Sequence, residues 1–163
     1  MIFPGVARAA TAAPAQMRRL SFHNLHTDER LTTVYWERGG YVPAALQEID
    51  AILRDHRTGD VRPIAPELID LVHSLTARLG TRQPVQVISG YRSAATNALL
   101  RSGDPGNVAE TSLHLTGEAL DLCVGNRSLR AVRDAALSLR RGGVGYYPRT
   151  GFVHVDIGRP RTW

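Results

Sequence analysis

The sequence predicts an α+β fold in which helices pack on a small, largely antiparallel central sheet. Three observations predict it. A polar turn, HTDE, separates two strand-like stretches near the start; two helical periods open at Pro43 and Pro66; and glycine-punctuated strand signals crowd the second half.

Taken in order, RLSFHNL and RLTTVYW flank HTDE as a hairpin, which Gly39-Gly40 breaks. Pro43 suits the first position of a helix, and Leu46, Ile49, Ile52 and Leu53 recur at helical spacing, predicting a helix as far as Gly59. A second helix starts near Pro66, carries Leu68, Leu71, Val72, Leu75 and Leu79 on one face, and stops at Gly80. PVQVIS reads as a short strand ending at Gly90. Residues Ala94 to Arg101 suggest a short helix leading into a loop, SGDPGN. EALDLCV follows as a strand. Ser128 is a suitable N-cap for a helix bearing Leu129, Val132, Ala136 and Leu139, which Gly142-Gly143 ends. VGYY and FVHVDI, joined by a turn from Pro148 to Gly151, read as a closing hairpin.

Composition bounds the function. With 163 residues, 43% hydrophobic, the chain has the size of one domain that can bury a core without disulfide staples. No apolar run approaches the ~18 residues that cross a bilayer. Cys123 is the single cysteine, which excludes an intramolecular disulfide and a thiolate-rich zinc site, so any metal must rely on histidine and carboxylate. The net charge of +5 comes from scattered arginines without interleaved aromatics, which argues against nucleic acid as a partner. The first residues, MIFPGVARAATAAPAQ, resemble the tail of an export signal, with Ala7-Arg8-Ala9 as a small-residue cleavage site; a disordered cytoplasmic leader is the alternative. The expected organisation is a leader over 1–17 and one domain over 18–163.

Of the six histidines, His114 and His154 stand in informative surroundings. In SLHLTGEALD, His114 precedes Asp121 by seven residues with Gly117 between, so loop and strand can bring the two side chains together. In FVHVDI, period two places His154 and Asp156 on one strand face and Val153, Val155 and Ile157 on the other. Two histidines and one carboxylate suit a catalytic zinc that keeps its fourth position for water, whose pKa falls to about 7. Spacing alone leaves a hydrogen-bonded structural role for these histidines equally open. Arg92 is a candidate clamp for a substrate carboxylate or an oxyanion, or a structural ion pair. Glu110 and Glu118 flank His114 as candidate bases or solvated surface groups. His23 and His26 read as surface residues, and His56 and His73 as solvent-facing or capping residues on helices. Tyr146 and Tyr147 shape a groove or pack the core, and Cys123 reads as a buried filler.

SGYRS (Ser89 to Ser93), SLHLTGEALDL, GGVGYYP and FVHVDIG, closing on Arg161-Thr162-Trp163, resemble the murein endopeptidase K family. Its members are zinc peptidases of the M15 clan, related to D-Ala-D-Ala carboxypeptidases. The likeness begins near Arg18 and includes NLHTDE. It implies the M15, hedgehog-like zinc peptidase fold, with one zinc held by His114, Asp121 and His154. It implies Asp156 as general base or as orienter of the last ligand, and Arg92, Ser112 and Tyr91 as residues that contact substrate. Many relatives carry a Glu or His base two or three residues before the final ligand, where this chain has Phe152 and Gly151. Cys123 and IGRPR are further departures from the pattern. The implied activity is hydrolysis of peptide cross-links in peptidoglycan, in the periplasm, with peptide stems as partner. The alternatives are a D,D- or L,D-carboxypeptidase of the same fold, or an inactive zinc-containing peptidoglycan-binding domain.

Overall fold

In the computed structural model, which describes residues 17–103 and 111–163, the expected first hairpin is present. Strand β1 (Arg18–Asn24) pairs antiparallel with β2 (Arg30–Glu37), and a two-residue strand β3 (Gly40–Tyr41) folds back on Trp36 where the sequence suggested only a break. Helix α1 (Pro43–Ile52) starts at its proline but ends about two turns before Gly59. Its terminus is decided by Asp55, whose side chain accepts the Arg57 N–H at 2.9 Å and so holds the following residues as a turn. His56 therefore stands in a turn and not on a helix.

Helix α2 (Pro66–Arg78) buries Leu68, Ile69, Leu71, Val72 and Leu75 as its period requires. Strand β4 (Val85–Ser89) then lies beside β1, and the two run parallel, because the helices between them form a crossover and not a turn. Helix α3 (Ala94–Gly103) extends two residues beyond the expectation, and most of the SGDPGN loop lies outside the described residues. Strand β5 (Ala119–Val124) follows, then helix α4 (Leu129–Leu139), whose N-cap Ser128 accepts the Ala131 N–H. Strands β6 (Gly143–Tyr147) and β7 (Phe152–Asp156) make the closing hairpin, and β8 (Arg161–Thr162) adds a parallel edge to β6.

The sheet order is β3-β2-β1-β4-β5-β7-β6-β8. The class is α+β as expected, but the sheet is larger than predicted and mixed, with β1–β4 and β6–β8 parallel. Leu120, Leu122 and Val124 of β5 and Val153 and Val155 of β7 face the helices and share one core with α2 and α4. Each such buried side chain contributes roughly 1.5–3 kcal/mol. Tyr35 is fully buried among them, and its hydroxyl donates to Asp70, which also receives Arg18 and the Tyr41 hydroxyl. This clamp joins the first three strands to α2. The opposite face of β5 and β7 carries Asp121, His154 and Asp156.

Candidate metal centre

Strand register assembles the site. Asp121 on β5 lies directly opposite His154 on β7, so both side chains leave the sheet on the same face. Ser89 joins them through a β-bulge. Val85 and Val87 of β4 face the core, and period two would send Ser89 after them, but the register shifts between Val87 and Ser89 and sets Ser89 opposite Asp121. His114 comes from a short 3-10 turn, Leu113–Thr116, capped by the Ser112 hydroxyl at its start and by Gly117 at its end. Gly117 has φ 74°, and a Cβ there would collide with the Pro63 carbonyl oxygen. Its own carbonyl accepts the Ala65 N–H at 3.0 Å, which docks the histidine turn against the start of α2.

The outer partners of the two imidazoles set their tautomers. His114 Nδ1 lies 2.7 Å from the Gly90 carbonyl oxygen and His154 Nε2 lies 3.1 Å from an Asp156 carboxylate oxygen. Both partners only accept, so these nitrogens carry the protons. The inner nitrogens, His114 Nε2 and His154 Nδ1, turn toward Asp121 and present lone pairs when the imidazoles are neutral. They stand 3.3 Å apart, and Asp121 Oδ1 lies 3.2 Å from the first and 2.8 Å from the second. Three potential ligand atoms thus converge on one point, and all three side chains are buried. Burial alone would raise the Asp121 pKa, but His114 and His154 hold its carboxyl well below the usual range. Burial likewise opposes charge on His154, yet Asp121 and Asp156 carry its pKa above the ordinary value. The donor set and its convergence fit a metal ion.

Behind His154, Asp156 has no exposed surface and its two oxygens are fully engaged. They accept the N–H groups of Gly143 and Gly158 at 2.9 Å each, His154, and both terminal nitrogens of Arg161. Burial would raise its pKa, but these donors hold the carboxyl well below its ordinary value. Gly143 is required by the close approach: a Cβ there would stand 2.5 Å from both Asp156 Oδ2 and Arg161 Nη1.

The cluster lies in a cleft of about 1210 Å³. Arg92 forms part of its wall. Its Nη2 donates to Asp121 Oδ2 at 3.2 Å, while its Nε is buried with no hydrogen-bond partner among the described residues. Burial lowers its pKa against the opposing pull of Asp121.

The family profile described as peptidoglycan L,D-endopeptidase MepK matches residues 12–163. The chain belongs to this family. It is 44% identical over 154 residues to the peptidoglycan L,D-endopeptidase MepK of Escherichia coli strain K12, covering 94% of this chain and 84% of that protein. A protein of Haemophilus influenzae named probable peptidoglycan L,D-endopeptidase MepK is 41% identical over 163 residues, covering 99% of this chain and 87% of that one.

Against this MepK-family frame, the structure brings His114, Asp121, His154, Arg92 and Ser112 to the cleft and sets Asp156 behind His154. Tyr91 does not line the cleft. Its N–H donates to the Leu53 carbonyl and its ring packs against the core, because the bend that turns Arg92 inward turns its neighbour away. Glu118 accepts the Thr116 hydroxyl and lies off the cleft, and Glu110 falls outside the described residues. Asp121 is the one carboxylate on the cleft wall among the described residues. Cys123 shares Asp121's face of β5 but sits two residues along, where its thiol donates to Gln86 and burial raises its pKa. Tyr147 stacks on Phe152 beside the cluster, whereas the Tyr146 ring lies under Arg133 of α4. Sequence reasoning missed Ser89, Arg161 and Trp163 as parts of the site. Trp163 packs 5.2 Å from the His154 ring and donates through Nε1 to the Tyr147 hydroxyl. The only sequence signal was their place in SGYRS and in the closing Arg161-Thr162-Trp163.

Proposed function

We propose that this chain is a zinc-dependent peptidoglycan L,D-endopeptidase that hydrolyses peptide cross-links of the cell wall in the periplasm. The observation that carries this reading is the convergence of His114 Nε2, Asp121 Oδ1 and His154 Nδ1 on one point in a cleft large enough for a peptide. Two imidazoles and a carboxylate are a suitable set for a catalytic zinc. Zinc held there supplies Lewis acidity, acidifying water and polarising a scissile carbonyl.

The protein's own groups arrange the rest. Asp156 holds the His154 ring, and its engaged oxygens support the reading of it as an orienter of that ligand over that of a general base. Arg161 and the Gly143 N–H hold Asp156 in turn. Arg92, braced on Asp121, keeps a guanidinium beside the ligands, where its positive charge stabilises charge that develops on the substrate. Ser112 caps the turn that carries His114.

Digestion of purified sacculi tests the reading. An endopeptidase releases two stems from each cross-link, a carboxypeptidase frees a single amino acid, and a binding domain yields no new fragment. His114→Ala and Asp121→Ala should abolish stem release with the fold intact; full activity in either would sink the proposal.

A further inference from the structure

Among the described residues, the cleft wall carries more cations than carboxylates: Arg57, Arg92, Arg149 and Arg161 border it, with Asp121 as the one acidic side chain. Arg161 is engaged by Asp156 and Arg92 by Asp121, whereas the exposed Arg57 has no ion-pair partner among the described residues. Beside Arg57, the rings of His26 and His56 stack at the rim with centroids 3.9 Å apart and planes within 5°.

Two buried polar side chains hold this rim in place. Asn24 Oδ1 accepts the N–H groups of His26 and Thr27 at 3.0 and 3.3 Å, while its Nδ2 donates to the Ile52 carbonyl at 2.9 Å. Asp55 accepts the N–H groups of Arg57 and Ser93, both at 2.9 Å. The His26 turn is thereby tied to the end of α1, and the His56–Arg57 turn to the segment that carries Arg92. Asp55 directs its oxygens inward to these donors, and its charge offsets only part of the rim's positive field. Burial, then the charges of His26 and Arg57, lower the pKa of His56 against the opposing pull of Asp55, which places these groups in one electrostatic neighbourhood.

We propose that His26, His56 and Arg57 form an anion subsite at the rim of the cleft that receives a free carboxylate of the peptide stem. The proposal rests on the peptidoglycan reading above and adds to it a basis for choosing among stems. A guanidinium takes a carboxylate through paired N–H groups, and imidazole N–H groups on preordered turns add further donors at little entropic cost. A stem whose free carboxylate is converted to a carboxamide loses the charge-assisted contact, a discrimination of about 10- to 100-fold.

The test uses two soluble stem fragments that differ only in carboxylate against carboxamide at that position, titrated calorimetrically into the zinc-loaded protein. The wild type should favour the carboxylate form by about 10- to 100-fold, and Arg57→Gln and His56→Gln should each bring the ratio to within about threefold of one. A wild-type ratio near one, or an undiminished ratio in Arg57→Gln, overturns the subsite. Arg57 is exposed, so its variant reports even if His56→Gln folds poorly. A mere packing role for the stack would lower the melting temperature and leave the ratio intact. If the protein releases no stems from sacculi, the peptidase reading fails, while the binding ratio still decides the subsite.

Discussion

Arg161 grips Asp156 with two hydrogen bonds, Nη1 to Oδ1 at 3.1 Å and Nη2 to Oδ2 at 2.7 Å, and the carboxylate so held takes the Nε2–H of His154. The chain from arginine to carboxylate to imidazole decides which nitrogen of His154 faces the cluster. Partners of this kind are typically worth about 10- to 100-fold in metal affinity. Asp156→Asn and Arg161→Ala should therefore weaken zinc binding by about that factor, measured by competition with a chromophoric chelator. Unchanged affinity in both would remove the orienting role.

Metal content separates a binding site from a structural cluster. The wild type should hold about one zinc per chain, and His154→Ala should lose it. Chelation should abolish cleavage and zinc should restore it. At a free zinc concentration about 100 times its dissociation constant, bound metal should add about 2.7 kcal/mol to stability, visible as a raised melting temperature. Equal melting curves with and without zinc would count against the site.

Gly117→Ala tests the turn beneath His114. The native φ of 74° disfavours any L side chain, and the added Cβ would meet the Pro63 carbonyl. The variant should be destabilised by more than about 1 kcal/mol in urea unfolding and should bind zinc less tightly, because His114 shifts with its turn. A fully stable variant with wild-type affinity would show that the docking of Gly117 on Ala65 is dispensable.

Asp55 supplies a pH dependence with a definite sign. Burial would raise its pKa, but donors from Thr96, Ser93 and Arg57 prevail and hold it well below the usual carboxylate range. A depressed folded-state pKa means that the unfolded chain binds the proton more readily. The stabilisation is therefore complete above the unfolded pKa of about 3.9 and is lost as pH falls through the folded value. Asp55→Asn should cost about 1–3 kcal/mol at pH 7, and the gap should narrow below about pH 4 in denaturant titrations at the two pH values. A gap that stays constant with pH would refute the assignment.

The sequence by itself determined the elements and the donor types. Pro43, Pro66 and Ser128 begin helices where their local chemistry requires, and period two puts His154 and Asp156 on one face of β7 wherever that strand lies. These are properties of adjacent residues, so they can be read without knowing what packs against them. The absence of a second cysteine likewise restricted any metal to histidine and carboxylate. What only the tertiary structure decided are relationships between residues distant in the chain. The bulge that turns Ser89 toward Asp121 depends on the pairing of β4 with β5. The tautomer of His114 depends on a carbonyl 24 residues away, and the end of α1 on an aspartate that also binds Ser93. His26 and His56 read as separate surface residues until Asn24 and Asp55 bring their turns together. Local propensity is silent on such matters, because register and long-range hydrogen bonds are chosen by the packing of the whole chain.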